Sequence, residues 1–136
     1  MKKQWKQFLY VAAVLCVNTS CLFNDRTTIV FGTVKDNFGV PVAGVDVELY
    51  GVKGVFAAQV TPLRTTQTDA KGEYSITIEM PKEYNSGDID FVFKNNMSFR
   101  YSNIKSILYY NKNETKNCCR VEIGQKNQYD LDTFSK

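Results

Sequence analysis

The chain has 136 residues, the size of one domain, with 43% hydrophobic and 23% charged residues, a composition that excludes a disordered or low-complexity protein. It contains no histidine, which excludes the commonest general base, the Ser-His and Cys-His nucleophile pairs and most zinc sites. The formal charge of +3 comes from the first twenty residues, where Lys2, Lys3 and Lys6 stand without an acid. Beyond them basic and acidic side chains balance, so nothing points to nucleic acid as a partner.

Residues 1–20 read as an export signal. Met1 to Lys6 is basic, and Phe8 to Val17 is an unbroken apolar run, too short to cross about 30 Å of hydrocarbon as a helix. Asn18, Thr19 and Ser20 then lead to Cys21. This order resembles a bacterial lipoprotein signal, cut just before a cysteine whose sulfur is diacylated. Ser20 supplies the small residue before the cut, while Asn18 stands where an aliphatic residue is usual. The resemblance implies lipidation of Cys21; Cys16, preceded by bulky Leu15, is the poorer candidate. An ordinary secretory signal or an uncleaved anchor is the alternative. Each buried methylene contributes about 0.8 kcal/mol, so two or three acyl chains hold a protein stably at a membrane. Residues 21–28 are then a lipid-anchored tether and residues 29–136 the folded domain. The address is the bacterial cell envelope, with the outer membrane favoured over the inner.

Thr27 to Lys35 alternates, with Ile29, Phe31 and Thr33 on one face and Val30 and Val34 on the other, the pattern of a strand. Asp36 to Gly39 is a turn, and Pro41 marks an edge or bulge because it cannot donate to a ladder. Val45, Val47 and Leu49 form the inward face of a second strand. Gly51 to Pro62 reads as a loop, within which Val55 to Val60 has the composition of a short edge strand. Leu63 to Thr68 is a Thr-rich strand, and Asp69 to Gly72 a tight hairpin turn. Tyr74, Ile76, Ile78 and Met80 share one face, as do Ile89, Phe91 and Phe93. Residues 96–113 fit a helical turn at Ile104, Ile107 and Leu108 as well as a strand at Leu108 to Tyr110. Cys119, Val121 and Ile123 alternate inward. Tyr129 and Leu131 belong to a polar tail that adds at most a last edge strand. About seven short strands and no long helix indicate an all-β sandwich.

Two stretches resemble the carboxypeptidase regulatory-like family. Phe31 to Leu49 carries Gly-x-Val-x-Asp-x-x-Gly-x-Pro-Val-x-Gly-Val-x-Val, and Thr68 to Ile76 carries Thr-Asp-x-x-Gly-x-Tyr-x-Ile. The resemblance covers Gly32 to about Ile78 well and runs more loosely to Phe93. It implies a transthyretin-like Greek-key β-sandwich, with Gly39, Gly44, Asp69 and Gly72 in structural turns and no catalytic residue or cofactor. The one enzyme branch of that fold, hydroxyisourate hydrolase, needs histidines and a terminal Tyr-Arg-Gly-Ser, and this chain ends Thr133, Phe134, Ser135, Lys136.

The remaining candidates are weaker. Asp88 with Asp90, Asp130 with Asp132, and Asp46 with Glu48 sit two apart and share strand faces, where solvated carboxylates are the expectation over a glycosidase pair or calcium site. Adjacent cysteines in a strand point apart, so Cys119 is expected in the core and Cys118 as a surface thiol, over a vicinal disulfide. Tyr84, Phe99, Tyr101, Tyr109 and Tyr110 are candidates for a sugar-stacking platform, with Tyr109 and Tyr110 the nominated contacts, although aromatic-rich strands more often pair across the core. The expectation is a non-catalytic, membrane-tethered binding or accessory module. Carbohydrate binding, or pairing of an edge strand with another envelope protein, is the alternative.

Overall fold

Successive side chains of a strand point to opposite faces, so one-sided burial shows which face meets the core. The computed structural model describes residues 25–94 and 101–135. The expected leader, Cys21 and Phe99 lie outside the described residues. The described residues form nine strands and no helix: β1 (Thr27–Asp36), β2 (Asp46–Lys53), β3 (Gln59–Gln67), β4 (Glu73–Glu79), β5 (Ser86–Val92), β6 (Tyr101–Tyr110), β7 (Asn113–Thr115), β8 (Arg120–Val121) and β9 (Lys126–Ser135). One sheet has the order β4-β1-β9-β6-β7, the other β3-β2-β5-β8. Neighbours are antiparallel except β1 and β9, which are parallel.

The sheets face each other across one core. Val30 and Val34 of β1, Ile76 of β4 and Leu131 of β9 pack with Val47 and Leu49 of β2 and Ile89 of β5. Tyr74 and Phe91 join the layers edge to face, with ring centroids 5.7 Å apart. The expected inward faces of β2, β4 and β5 are the buried ones.

Gly32 occupies an inward position of β1. A Cβ there would stand 1.8 Å from the carbonyl oxygen of Tyr129 in β9. Tyr74 lies directly opposite Gly32 in β4 and crosses the vacant side to donate its hydroxyl to that same oxygen at 2.8 Å. The parallel ladder pairs Ile29–Phe31 and Val34–Asp36 with β9. Between them the Asp130 carboxylate accepts the Thr33 N–H at 2.8 Å and the Thr33 hydroxyl at 3.0 Å. Side chains thus supply the partners where the backbone ladder opens, as burial requires.

Four expectations are corrected. The polar tail is not an edge: β9 is the middle strand of its sheet. Its inward row is Asn127, Tyr129, Leu131 and Thr133, half of it polar, and all four are buried. Asn127 is wholly buried because its amide donates to the carbonyls of Glu122 and Gln125 and accepts the Glu122 N–H. Asp69 to Gly72 does not close a hairpin within one sheet. β3 and β4 belong to different sheets, and the turn carries the chain between them. The loop expected at Gly51 to Pro62 is mostly strand, since β2 runs to Lys53 and β3 begins at Gln59. Pro62 is tolerated because β3 is an edge, beside a register shift at Leu49 and Tyr50. Finally, the folded unit takes in the end of the expected tether: β1 starts at Thr27, Thr28 is wholly buried, and the Arg26 guanidinium donates to the carbonyls of Met80, Pro81 and Tyr84.

Asp46, expected on a solvated face, lies at the rim of the core with 1% exposure. It accepts a bond from the Gln67 amide at 2.6 Å and pairs with the Lys94 ammonium. Lys94 first, then Gln67, hold its carboxyl below the usual carboxylate range, against the opposing effect of burial. A depressed folded pKa means that the stabilisation is present above the unfolded value, near 3.9, and fades as the pH falls through the folded value.

These contacts and the turn at Gly72 make four predictions. Gly32→Ala should cost at least about 2 kcal/mol in urea unfolding, because the strand pair must open. Tyr74→Phe should cost about 1–3 kcal/mol, for a buried carbonyl that loses its donor. Equal stability of either variant and the wild type would refute the crossing contact. Gly72 has φ +71°, and a Cβ there would lie 2.4 Å from the Val34 oxygen. Gly72→Val should therefore lower the melting temperature sharply, and an unchanged value would misplace the turn. Asp46→Asn should be less stable than the wild type at neutral pH, and the gap should narrow below about pH 4; a gap independent of pH would refute the charged role of Asp46.

Candidate functional site

β8 is only two residues long and pairs with Gly87 and Asp88 alone. One further bond, from the Ile89 N–H to the Cys119 carbonyl at 3.1 Å, ends its cover of β5. Among the described residues no strand pairs with the outer edge of β5 beyond that point. The edge of the other sheet on this side is β7, folded back from β6 by a two-residue turn. Asn111 and Lys112 both have positive φ, 47° and 68°, the geometry of a type I′ hairpin. A cleft of about 510 Å³ opens between the two edges.

The cleft has two kinds of lining. Phe91 and Phe93 from β5 and its exit, with Leu108 of β6 and Leu131 of β9, make an apolar floor. Alternation aims these side chains inward. Asp90, Glu114 and Lys116 bring charge to the rim, and Ser106 and Thr115 bring hydroxyls. An apolar floor with a few convergent polar groups is the usual chemistry of a small-molecule site.

Cys118 stands at the mouth. The structure places its sulfur against that of Cys119, where a surface thiol beside a core cysteine is the expectation. The pair lies outside any strand, directly before β8, so the rule that adjacent side chains diverge does not govern it. The burial pattern is as expected, with Cys119 at 3% exposure and Cys118 exposed.

The described aromatic candidates, Tyr84, Tyr101, Tyr109 and Tyr110, are not gathered on one surface. Tyr110 faces inward and packs on Tyr129 with ring centroids 4.7 Å apart. Tyr109 faces the opposite side, across from Asp130 and Glu114 of the neighbouring strands. Partial burial, then the charges of Asp132 and Glu114, push its phenol pKa up. Tyr84 is buried over Gly51. Tyr101 packs on Phe93 at 6.0 Å, beside the cleft. Of the acid pairs, Asp90 reaches the rim, while Asp88 sits half-buried opposite Arg120 in β8. Burial raises the Asp88 pKa and Arg120 opposes the rise. Asp130 is committed to Thr33 and Gln128.

Gly39, Gly44 and Gly72 all have positive φ, in the turns where they were expected. Asp69 caps its turn by accepting the N–H groups of Lys71 and Glu73. These residues build the scaffold, and none of them lines the cleft. The cleft itself was not foreseen. Asn111-Lys112 lacks the glycine that signals such a hairpin, and Glu114 to Lys116 gave no alternation to read. Among the described residues no three Cys, Asp or Glu converge to hold a metal ion. No family model, curated protein or solved structure matches the chain.

Proposed function

We propose that the chain is a non-catalytic, lipid-anchored module of a bacterial cell envelope that binds a small polar ligand in the cleft between β5 and β7. The observation that carries this reading is the cleft lining, apolar below and charged at the rim. The order of basic, apolar and small residues before Cys21 supports the anchor. The absence of histidine from the sequence supports a binding role over catalysis.

We read the fold as a transthyretin-like Greek key of the carboxypeptidase regulatory-like kind. The two motif blocks support this: Gly32 falls at the close crossing of β1 and β9, and Asp69 to Gly72 at the passage between the sheets. A sugar suits the cleft best among small polar ligands. Its ring presents an apolar face to Phe93 and Leu108, and its hydroxyls can donate to Asp90 and Glu114. Pairing of an edge strand with another protein is less well supported, because Pro62 interrupts the row of donors along β3.

Two measurements test this reading. Cys21→Ala should move the protein from the membrane fraction to the soluble one. A wild type that is already soluble, with an unmodified Cys21 by mass spectrometry, refutes the anchor. On a glycan array the wild type should bind a defined sugar. Glu114→Ala should weaken that binding about tenfold, the loss of roughly 1.4 kcal/mol expected of one hydrogen bond to a charged group, without lowering the melting temperature. A blank array, or binding indifferent to Glu114, refutes the carbohydrate reading.

A further inference from the structure

The hairpin joining β2 to β3 ends in four exposed apolar residues, Val55, Phe56, Ala57 and Ala58. Val55 is 86% exposed, and Phe56 is fully exposed. Single exposed apolar side chains are common on proteins; a contiguous apolar tip is a mark of an interaction surface.

Its position identifies what it meets. β1 leaves its N-terminal end, and β2 and β3 turn, on the same end of the sandwich, because Ile29 pairs near the start of β9, Thr27 pairs with Glu79, and Val52 pairs with Ser86. The loop from Pro81 to Asn85 ties the two places together. On one side its Pro81 and Tyr84 carbonyls accept from Arg26, at 3.0 and 2.8 Å. On the other, Asn85 donates its N–H to Val52 at 2.9 Å and accepts the Gly54 N–H on its side chain at 3.0 Å. The apolar tip therefore stands on the end where the described chain begins at Asp25. Cys21 lies four residues earlier, a reach of at most about 14 Å.

We propose that the Val55–Ala58 tip enters the bilayer to which Cys21 is anchored. The proposal rests on the lipoprotein reading of Cys21. Burial of Val55 and Phe56 among acyl chains removes apolar surface from water. Lys53 at the hairpin base and Lys82 in the tying loop are exposed, and their ammonium groups meet phosphate at headgroup level. Glu83 is the carboxylate of that loop. Two contacts, one lipid and one protein, fix the orientation of the domain where a lipid alone leaves it free to swing. Another exposed apolar pair, Phe38 at 78% and Val40 at 55%, belongs to the turn after β1, at the far end, and stays in water.

The only tryptophan of the chain is Trp5, in the leader, so a processed protein carrying Phe56→Trp or Phe38→Trp holds a single reporter. Each full-length variant is expressed, processed and reconstituted in phosphatidylethanolamine–phosphatidylglycerol vesicles with brominated acyl chains. The Phe56→Trp reporter should emit at shorter wavelength and be quenched several-fold. The Phe38→Trp reporter should emit as in water, unquenched. Mass spectrometry of the N-terminus reports the anchor separately. An anchored protein whose Phe56→Trp reporter emits as in water overturns the insertion alone and points to a protein partner for the tip. If the N-terminus is unlipidated, the anchor reading fails. The same reporter added with free vesicles then decides the tip: a blue shift supports membrane insertion, and an unchanged spectrum overturns it.

Discussion

The architecture depends on one missing side chain. At Gly32 nothing separates β1 from the Tyr129 carbonyl, so the last strand of the chain can lie parallel against the first. β9 is the partner through which β6, and β7 behind it, join the sheet begun by β1 and β4. Any side chain at residue 32 would push β9 outward and with it one wall of the cleft. The carbonyl freed by the opened ladder is satisfied by Tyr74, whose ring also touches Phe91 in the other sheet. One close approach thus links the first strand, the last strand and both layers. Burial raises the Tyr74 phenol pKa further beyond its already high ordinary value, so this donor stays protonated at any physiological pH.

Where burial and hydropathy coincide, the sequence was sufficient. Val45, Val47 and Leu49 alternate with polar residues, and all three are fully buried. Tyr74, Ile76 and Met80 behave likewise. The turns at Asp36 to Gly39 and Asp69 to Gly72 were legible because their chemistry is local: an Asp side chain accepts backbone N–H groups and a glycine takes positive φ. The strand that the chain joins after such a turn is chosen by distant residues. Whether β4 returns to β3 or crosses to β1 depends on which edge is vacant, and alternation carries no information about that.

β9 is hard to read in the sequence for a different reason. Its inward row contains Asn127 and Thr133, which look like solvent-facing residues in a hydropathy pattern. Asn127 is buried because the bend from Glu122 to Gln125 presents carbonyls and an N–H to its amide, a match that exists only once the chain has turned. Such a network is costly if half-made and specific when complete. Asp46 is the same kind of case, an acid made tolerable at the core's rim by Lys94 and Gln67. The cleft was invisible on similar grounds. It arises where short strands stop, at β8 and β7, and the end of a strand's cover is a property of the assembly.

The two proposed surfaces place different demands on the sandwich, and its geometry lets both be met. A strand rises about 3.3 Å per residue, so the ten residues of β1 separate the two ends by roughly 33 Å. With the Val55–Ala58 end against a bilayer, the turns at Phe38 and Gly72 stand away from it. The cleft runs along the side, between sheet edges rather than at either end. Its mouth then opens parallel to the membrane plane, where neither lipid nor the distal turns cover it. The Pro81–Asn85 loop becomes the mechanical centre of this arrangement. It holds the start of the domain through Arg26 and the apolar tip through Gly54, while Tyr84 packs over Gly51 beneath it. A ligand in the cleft would touch none of these residues, so the proposed anchoring and the proposed binding would be separable.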